Sequence, residues 1–207
     1  MRQPPALVLA GAVMSLLLAG CGEPGTAGGS SGAGPVTVDV DVDTPELRAA
    51  KNRAGIEPCE PGEGGAVEGG LPEVTLRCLG GGQDVDLAGL RGPLVVNLWA
   101  QWCGPCREEL PYYQQLHERA DGKVDVVGID YQDTLPAKAL ELADQTGVTY
   151  PLLADPEAQV RVPFRVRGLP GVVLVDADGT VVHVEYVVIR SYDQLRELVE
   201  EHLGVRV

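Results

Sequence analysis

Residues 95–106 read Val-Val-Asn-Leu-Trp-Ala-Gln-Trp-Cys-Gly-Pro-Cys, an apolar run suited to a strand buried on both faces that ends in a Cys-x-x-Cys. This junction constrains the fold more than any other stretch, because the chain must leave a buried strand and enter a helix within a few residues. Pro105 suits a first helical turn, where its missing N–H would be unpaired anyway. Arg107–Ala120 then continues with amphipathic spacing. Cys103 thereby falls at the helix start, where free N–H groups and the helix dipole favour an anionic sulfur. Thiols in such positions titrate at roughly 7 or lower instead of about 8.5. Cys106 lies one turn on, close enough to close a disulfide. The pair reads as a dithiol–disulfide redox site.

Two other chemistries use this spacing. A zinc site needs four ligands, yet there is no second Cys-x-x-Cys, and His117, His183 and His202 are scattered along the chain. No metal and no cofactor are expected. A purely structural bridge between such near neighbours, beside Trp99 and Trp102, is the weaker reading.

The N-terminus differs in kind from the rest. Residues 1–20 carry one charge, Arg2, and an apolar run Ala6–Leu18 that is short for a membrane span but laid out like a secretory signal. Its ending, Leu18-Ala19-Gly20-Cys21, resembles a bacterial lipobox, in which Cys21 is lipidated and becomes the new N-terminus. Ordinary cleavage nearby, with Cys21 incidental, is the alternative. Acyl chains contribute about 0.8 kcal/mol per buried CH₂, so two or three would anchor the protein to a membrane. Residues 21–43, Gly/Ser-rich over 22–35, read as a flexible tether with a reach of roughly 25 Å. The folded domain is expected over 44–207.

Of five cysteines, a lipidated Cys21 leaves four. Outside the cytosol an even number suggests pairs, so Cys59–Cys78 follows once Cys103–Cys106 is taken. Two free buried thiols are the alternative. The intervening glycine-rich stretch is costly to order, and a bridge across it would stabilise the domain by about 3 kcal/mol. The net charge of −14 argues against a nucleic-acid partner and against adhesion to anionic headgroups.

Periodicity and turn residues place the remaining elements. Thr44-Pro45-Glu46 is an N-cap pattern for a helix to about Arg53. Glu73–Leu79 and Asp84–Leu87 alternate across glycines as a hairpin. Leu94–Ala100 is a central strand, residues 105–120 a helix and Val124–Asp130 a second buried strand. Leu135–Thr146 is a helix ending at Gly147, and Tyr150–Ala154 a short strand. Val172–Asp176 and Thr180–Tyr186 flank Ala177-Asp178-Gly179 as a hairpin, and Tyr192–Leu203 closes the chain as an amphipathic helix. This order predicts an α/β fold with a mixed sheet and a parallel centre.

Over roughly residues 71–204 the chain resembles the thioredoxin superfamily, in its extracytoplasmic TlpA/ResA-like branch. The markers are Val95–Ala100, Trp102-Cys103-Gly104-Pro105-Cys106, Arg107-Glu108-Glu109-Leu110-Pro111 and Gly168-Leu169-Pro170. Helix 135–146 matches the branch's insertion. The resemblance implies a thioredoxin fold with an N-terminal hairpin and an inserted helix. It implies a cis Pro170 beside the disulfide, with the Leu169 backbone offered to a bound polypeptide. It gives Glu109 a part in acid–base behaviour, on a helix surface near the thiols, against the alternative of a solvated glutamate. Asn97 stands where cytoplasmic thioredoxin has a buried aspartate, and Val126 where it has the partner lysine. Pro111 removes one helical hydrogen bond and is expected to kink the helix. Trp99 is expected in the core and Trp102 as a shield over Cys103.

The activity so implied is thiol–disulfide exchange, with Cys103 attacking and Cys106 resolving. Clients are protein disulfides or dithiols, and a membrane redox partner recharges the site. A reductase is favoured, with apocytochrome c among the family's clients. The alternatives are an oxidant for exported proteins and a non-catalytic module holding copper or a client. Copper chaperones of related fold generally use Cys-x-x-x-Cys with a distant histidine, and the Pro-x-x-x-Thr-x-x-Cys context of a thiol peroxidase is absent.

Overall fold

The computed structural model describes residues 39–207. The signal segment, Cys21 and most of the expected tether lie outside the described residues. The tether's last residues are packed: Val42 is buried, its carbonyl accepts a hydrogen bond from the Gly80 N–H, and Asp43 pairs with Arg48. The packed chain therefore includes residues ahead of Thr44, because in the alternating Val40-Asp41-Val42-Asp43 the valines face the core and the aspartates face out. Among the described residues no helix is long and apolar enough to cross a membrane.

Helix α1 spans Pro45–Ala54. Thr44 caps it by accepting from the Leu47 N–H at 3.3 Å, Pro45 opens it, and Gly55 closes it at φ 71°. These are the residues that satisfy helix ends most cheaply. Strands β1 (Thr75–Cys78) and β2 (Val85–Asp86) form the expected hairpin, with Thr75 opposite Asp86. Then come β3 (Leu94–Trp99), α2 (Gly104–Ala120), β4 (Asp125–Tyr131), α3 (Pro136–Thr146) and β5 (Leu152–Asp155). The hairpin of β6 (Gly171–Val175) and β7 (Val181–Glu185) leads to α4 (Tyr192–Leu203). Helix α2 runs through Pro111 as one element.

The strands join in one sheet in the order β2-β1-β5-β4-β3-β6-β7. Strand β3 pairs in parallel with β4 and antiparallel with β6, while β4 pairs in parallel with β5. The hairpin reaches the sheet through β1, which sets Arg77 opposite Ala154 on β5. Every residue of β3 is buried, and the pleat explains why. Val95 and Trp99 face the core that holds α2 and the cysteines Cys103 and Cys106. Leu94, Val96 and Leu98 face a second core with Cys59, Cys78, Tyr131 and Phe164.

The two disulfides thus sit on opposite faces of the sheet. Cys59–Cys78 has a Cα–Cα separation of 5.8 Å and ties the segment before β1 to that strand's last residue. A buried lysine accompanies it: Lys51 Nζ lies 2.9 Å from Cys78 Sγ and donates to the Gly81 carbonyl at 3.0 Å. Burial pushes the Lys51 ammonium below its ordinary range. Both sulfurs are enclosed, Cys59 at 3% and Cys78 at 2% exposure. Graded reduction with alkylation and intact-mass analysis is expected to show two labels first, on Cys103 and Cys106, and four only under harsher conditions. Replacing Cys59 and Cys78 together should cost about 3 kcal/mol in a denaturant titration of the oxidised protein.

Candidate active site

The site forms where β3 ends and α2 begins. Cys103 is the N-cap of α2, and its sulfur accepts from the Cys106 N–H at 3.3 Å. This cap geometry aims one of the helix's unpaired N–H groups at the first sulfur. Cys103 and Cys106 are bridged, with a Cα–Cα separation of 5.3 Å. Cys103 keeps 5% exposure and Cys106 none. The first sulfur is the one a partner can approach.

The turn between strand and helix is held by side chains that periodicity did not single out. Asp133 accepts from the Gln101 N–H at 2.9 Å through one oxygen and from the Leu135 N–H at 2.9 Å through the other. The Arg107 guanidinium donates two bonds to the Gln101 carbonyl, at 3.1 and 2.8 Å. Trp102 donates its indole N–H to the Gln132 carbonyl at 3.2 Å and leaves 53% of its surface exposed. It lies across the turn as an apolar face beside Cys103, whereas Trp99 is wholly buried. The signal for Asp133 was available, since aspartate before a helix accepts from the backbone two residues on. Its reach to Gln101 depends on strand pairing.

At the same end of the sheet, Gly171 pairs with Leu98, and the preceding Leu169–Pro170 bond is cis. Leu169 is half-buried and packs against both cores. A second cis bond, Gly92–Pro93, precedes β3 and was not anticipated.

Glu109 requires a correction. It is not on the helix surface: its exposure is zero, and one carboxylate oxygen accepts from the Ile189 N–H at 2.9 Å. The other oxygen has no hydrogen-bond partner among the described residues. The loop before α4 folds over this part of α2, and sequence spacing says nothing about what lies above a helix face. Burial pushes the Glu109 carboxyl up to about 8, against the opposing effect of the Ile189 hydrogen bond. A charge on Glu109 would be felt by the Tyr113 and Tyr150 phenols, both held above their ordinary range first by burial. Asn97 donates to the Tyr150 hydroxyl at 3.3 Å as a hydrogen-bonded core amide, and Val126 is buried as an apolar residue. Asp130, at the end of β4 opposite Trp99, is a further enclosed carboxyl; burial and then the neighbouring Asp133 raise it well above its ordinary range. The three histidines lie apart from the site and are partly buried: His183 stacks on His202 at 3.9 Å, and His117 meets Glu57 at 3.0 Å.

The sign of the Glu109 effect on stability follows from linkage. The folded state holds this proton up to about pH 8, whereas an unfolded glutamate releases it near 4.5. Between those values the folded state binds more protons, so stability falls as pH rises. Asp130 contributes in the same direction. Glu109→Gln keeps an acceptor for the Ile189 N–H and removes one titrating group. Urea titrations of the oxidised protein at pH 5 and pH 8 should show a smaller loss in the variant, by an amount on the order of a few kcal/mol. An equal loss in both proteins would mean that Glu109 ionises as freely when folded as when unfolded.

With this geometry in view, the chain can be set beside known proteins. It is 36% identical over 98 residues to the thiol:disulfide interchange protein CycY of Rhizobium leguminosarum bv. viciae, covering 46% of this chain and 51% of that protein. It is 32% identical over 106 residues to the thiol-disulfide oxidoreductase ResA of Bacillus subtilis, covering 50% and 58%. The chain therefore spans about half the length of these curated relatives. Among solved structures it is similar to MTB DsbF in mixed oxidised and reduced forms, with TM-score 0.56, 28% identity, and coverage of 62% of this chain and 94% of that one. These likenesses bear out the expected α/β thioredoxin-like architecture. Residues 66–198 match the Redoxin family, a span that contains the whole sheet and both cysteines of the site, and the chain belongs to that family.

Proposed function

We propose that this protein is an extracytoplasmic thiol–disulfide oxidoreductase, anchored to the membrane by a lipid on Cys21. The observation that carries the redox reading is the capping of α2 by Cys103, whose sulfur receives the Cys106 N–H while Cys106 is sealed inside the helix. That asymmetry divides the labour. In the reduced protein the Cys103 thiolate attacks one sulfur of a client disulfide. A mixed disulfide forms, and the client's other sulfur leaves as a thiolate and takes a proton. Cys106, losing its proton, then attacks Cys103, the Cys103–Cys106 bridge closes, and the client departs as a dithiol. The client gains two electrons and the site loses two. The reverse sequence donates a disulfide.

Several features support the rest of the proposal. The names of the relatives, interchange protein and oxidoreductase, suit this chemistry. The Gly-Pro between the cysteines matches thioredoxin, so we assign the direction of reductase, with apocytochrome c as a client class and a membrane redox partner that restores the dithiol. Trp102, Leu169 and Pro170 form the client-facing edge, and Leu169 offers its backbone to an extended chain. Glu109 is the buried carboxyl of α2, three residues after Cys106. Its buried carboxyl stays neutral into the neutral pH range, where it can take up or release a proton as the dithiol forms and breaks.

Cys103→Ser is expected to abolish exchange, and Cys106→Ser to accumulate a mixed disulfide with clients. Alkylation of the reduced chain at neutral pH should label Cys103 first; preferential labelling of Cys106 would exchange their roles. Direction is tested by equilibrating the Cys103–Cys106 pair against glutathione. A reductase should lie below about −200 mV, toward thioredoxin, whereas a value near −120 mV would make the protein an oxidant. In the pH–rate profile of exchange, Glu109→Gln should remove a step near pH 8. A profile identical to that of the unaltered protein would take Glu109 out of the mechanism.

A further inference from the structure

A groove of about 1100 Å³ opens along the Leu169–Pro170 edge, bounded by the segment 163–170 on one side and by β7 with the residues that follow it on the other. Its open, elongated lining along two chain segments suits a stretch of polypeptide. Its walls are fixed. The Tyr186 hydroxyl donates to the Phe164 carbonyl at 2.7 Å, tying the two sides together beneath the opening. The Tyr186 ring lies against Gly171, where an added Cβ would come within 2.8 Å of it. Val184 on β7 is 38% exposed and supplies apolar surface. Strand β7 is the last in the sheet; at its start the segment 69–70 bonds to its outer edge, the Val181 N–H donating to the Gly69 carbonyl at 2.9 Å, and beyond that the edge carries no further strand.

The charge of this groove differs from that of the rest of the protein. Several described arginines are engaged: Arg48 with Asp43, Arg77 with Asp41, Arg161 with Tyr131 and Gln132, Arg196 with three carboxylates. Arg165 and Arg167 line the groove, are exposed, and make no ion pair or side-chain hydrogen bond among the described residues. Arg165 is held at φ 54° by a turn in which the Val166 N–H donates to the Arg161 carbonyl. Arg167 acts on the Tyr186 phenol, opposing the burial that pushes it up to about 12. One carboxylate shares the lining, Glu185, and it faces His183 at 3.4 Å. Two unpaired guanidiniums against one carboxylate is the reverse of the balance in a chain of net charge −14.

We propose that this groove takes an extended segment of a client polypeptide whose side-chain carboxylates, a few residues from the reacting cysteine, pair with Arg165 and Arg167. The proposal rests on the reading of Leu169–Pro170 as the client-facing edge. Guanidinium is the group that matches a carboxylate in a planar, two-bonded fork. The acidic remainder of the protein repels such a client at long range, but the Debye length is about 8 Å at physiological ionic strength. The arginines therefore act after contact. They fix the register in which the segment lies, and so which client cysteine meets Cys103.

The test uses the full chain and short fluorescent peptides in which the client cysteine is serine, identical except for glutamate, glutamine or lysine at the flanking positions. Anisotropy titrations at about 0.15 M salt should give the glutamate peptide an affinity about tenfold above the lysine peptide, the order two exposed ion pairs supply. The difference should shrink at about 1 M salt. Arg165→Gln with Arg167→Gln should erase the preference, and Arg165→Glu with Arg167→Glu should reverse it. Equal affinities in the unaltered chain, or an order unchanged in both double variants, would overturn the proposal. Reaction of the reduced, unaltered chain with neutral dithiodipyridine reads the redox site separately. Reaction without charge preference sinks the groove and spares the redox reading. Charge preference without reaction does the opposite.

Discussion

The hydrogen bonding of β3 along both edges, to β4 on one side and β6 on the other, is the constraint on which the rest of this molecule depends. A strand paired twice and buried on both faces cannot shift in register without moving every apolar side chain to the wrong face. Its last residue, Trp99, is therefore a fixed point, and the turn to Cys103 starts from it. The same pairing brings Gly171 opposite Leu98, which carries the cis Leu169–Pro170 bond to the end of the sheet where the cysteines lie. Asp133, Arg107 and Gln132 then fasten the turn to the end of β4 and to the first two turns of α2. The disulfide is presented by rigid elements on every side.

Around that fixed turn the protein encloses polar groups that an apolar core would exclude. Asn97, Tyr150, Glu109 and Tyr113 occupy the side of α2, and Asp130 the end of β4. Burying a carboxyl favours its neutral form, and each such carboxyl makes the fold less stable as pH rises through the range where the unfolded chain has already ionised. Natural proteins accept such costs most readily at functional sites. Glu109 combines the cost with a structural gain, since its hydrogen bond to Ile189 pins the loop that leads into α4.

The two disulfides differ in their surroundings, not in their bond. Cys59–Cys78 is sealed in the second core, joins segments far apart in sequence, and touches a buried ammonium from α1. Cys103–Cys106 spans one helical turn, and its first residue keeps a small exposure of 5% while the second keeps none. Closing a long loop restricts the unfolded chain far more than closing a short one, so the first bond suits stability and the second can open without loosening the fold.

Much of this was legible in the chain itself. The apolar run 94–100, the Cys-Gly-Pro-Cys, the Thr44-Pro45 cap, the glycines after α1, α3 and α4, and the Asp-Gly turn between β6 and β7 are local signals. Local signals work because helix caps and turns are satisfied within a few residues. Parity of the cysteines named the second pair. What tertiary structure alone decided is what covers each face. Glu109 shares the helix face of Cys106 and Tyr113, but its carboxylate would read as surface, and it is buried because the loop before α4 closes over it. Lys51 looks solvated in sequence and instead reaches Cys78. Asp133 holds Gln101 across a gap of 32 residues, and Arg165 and Arg167 acquire their meaning from the β7 edge opposite them. Residue spacing determines which way a side chain points from its own element. Which element meets it there depends on long-range strand pairing, and that is a property of the whole fold.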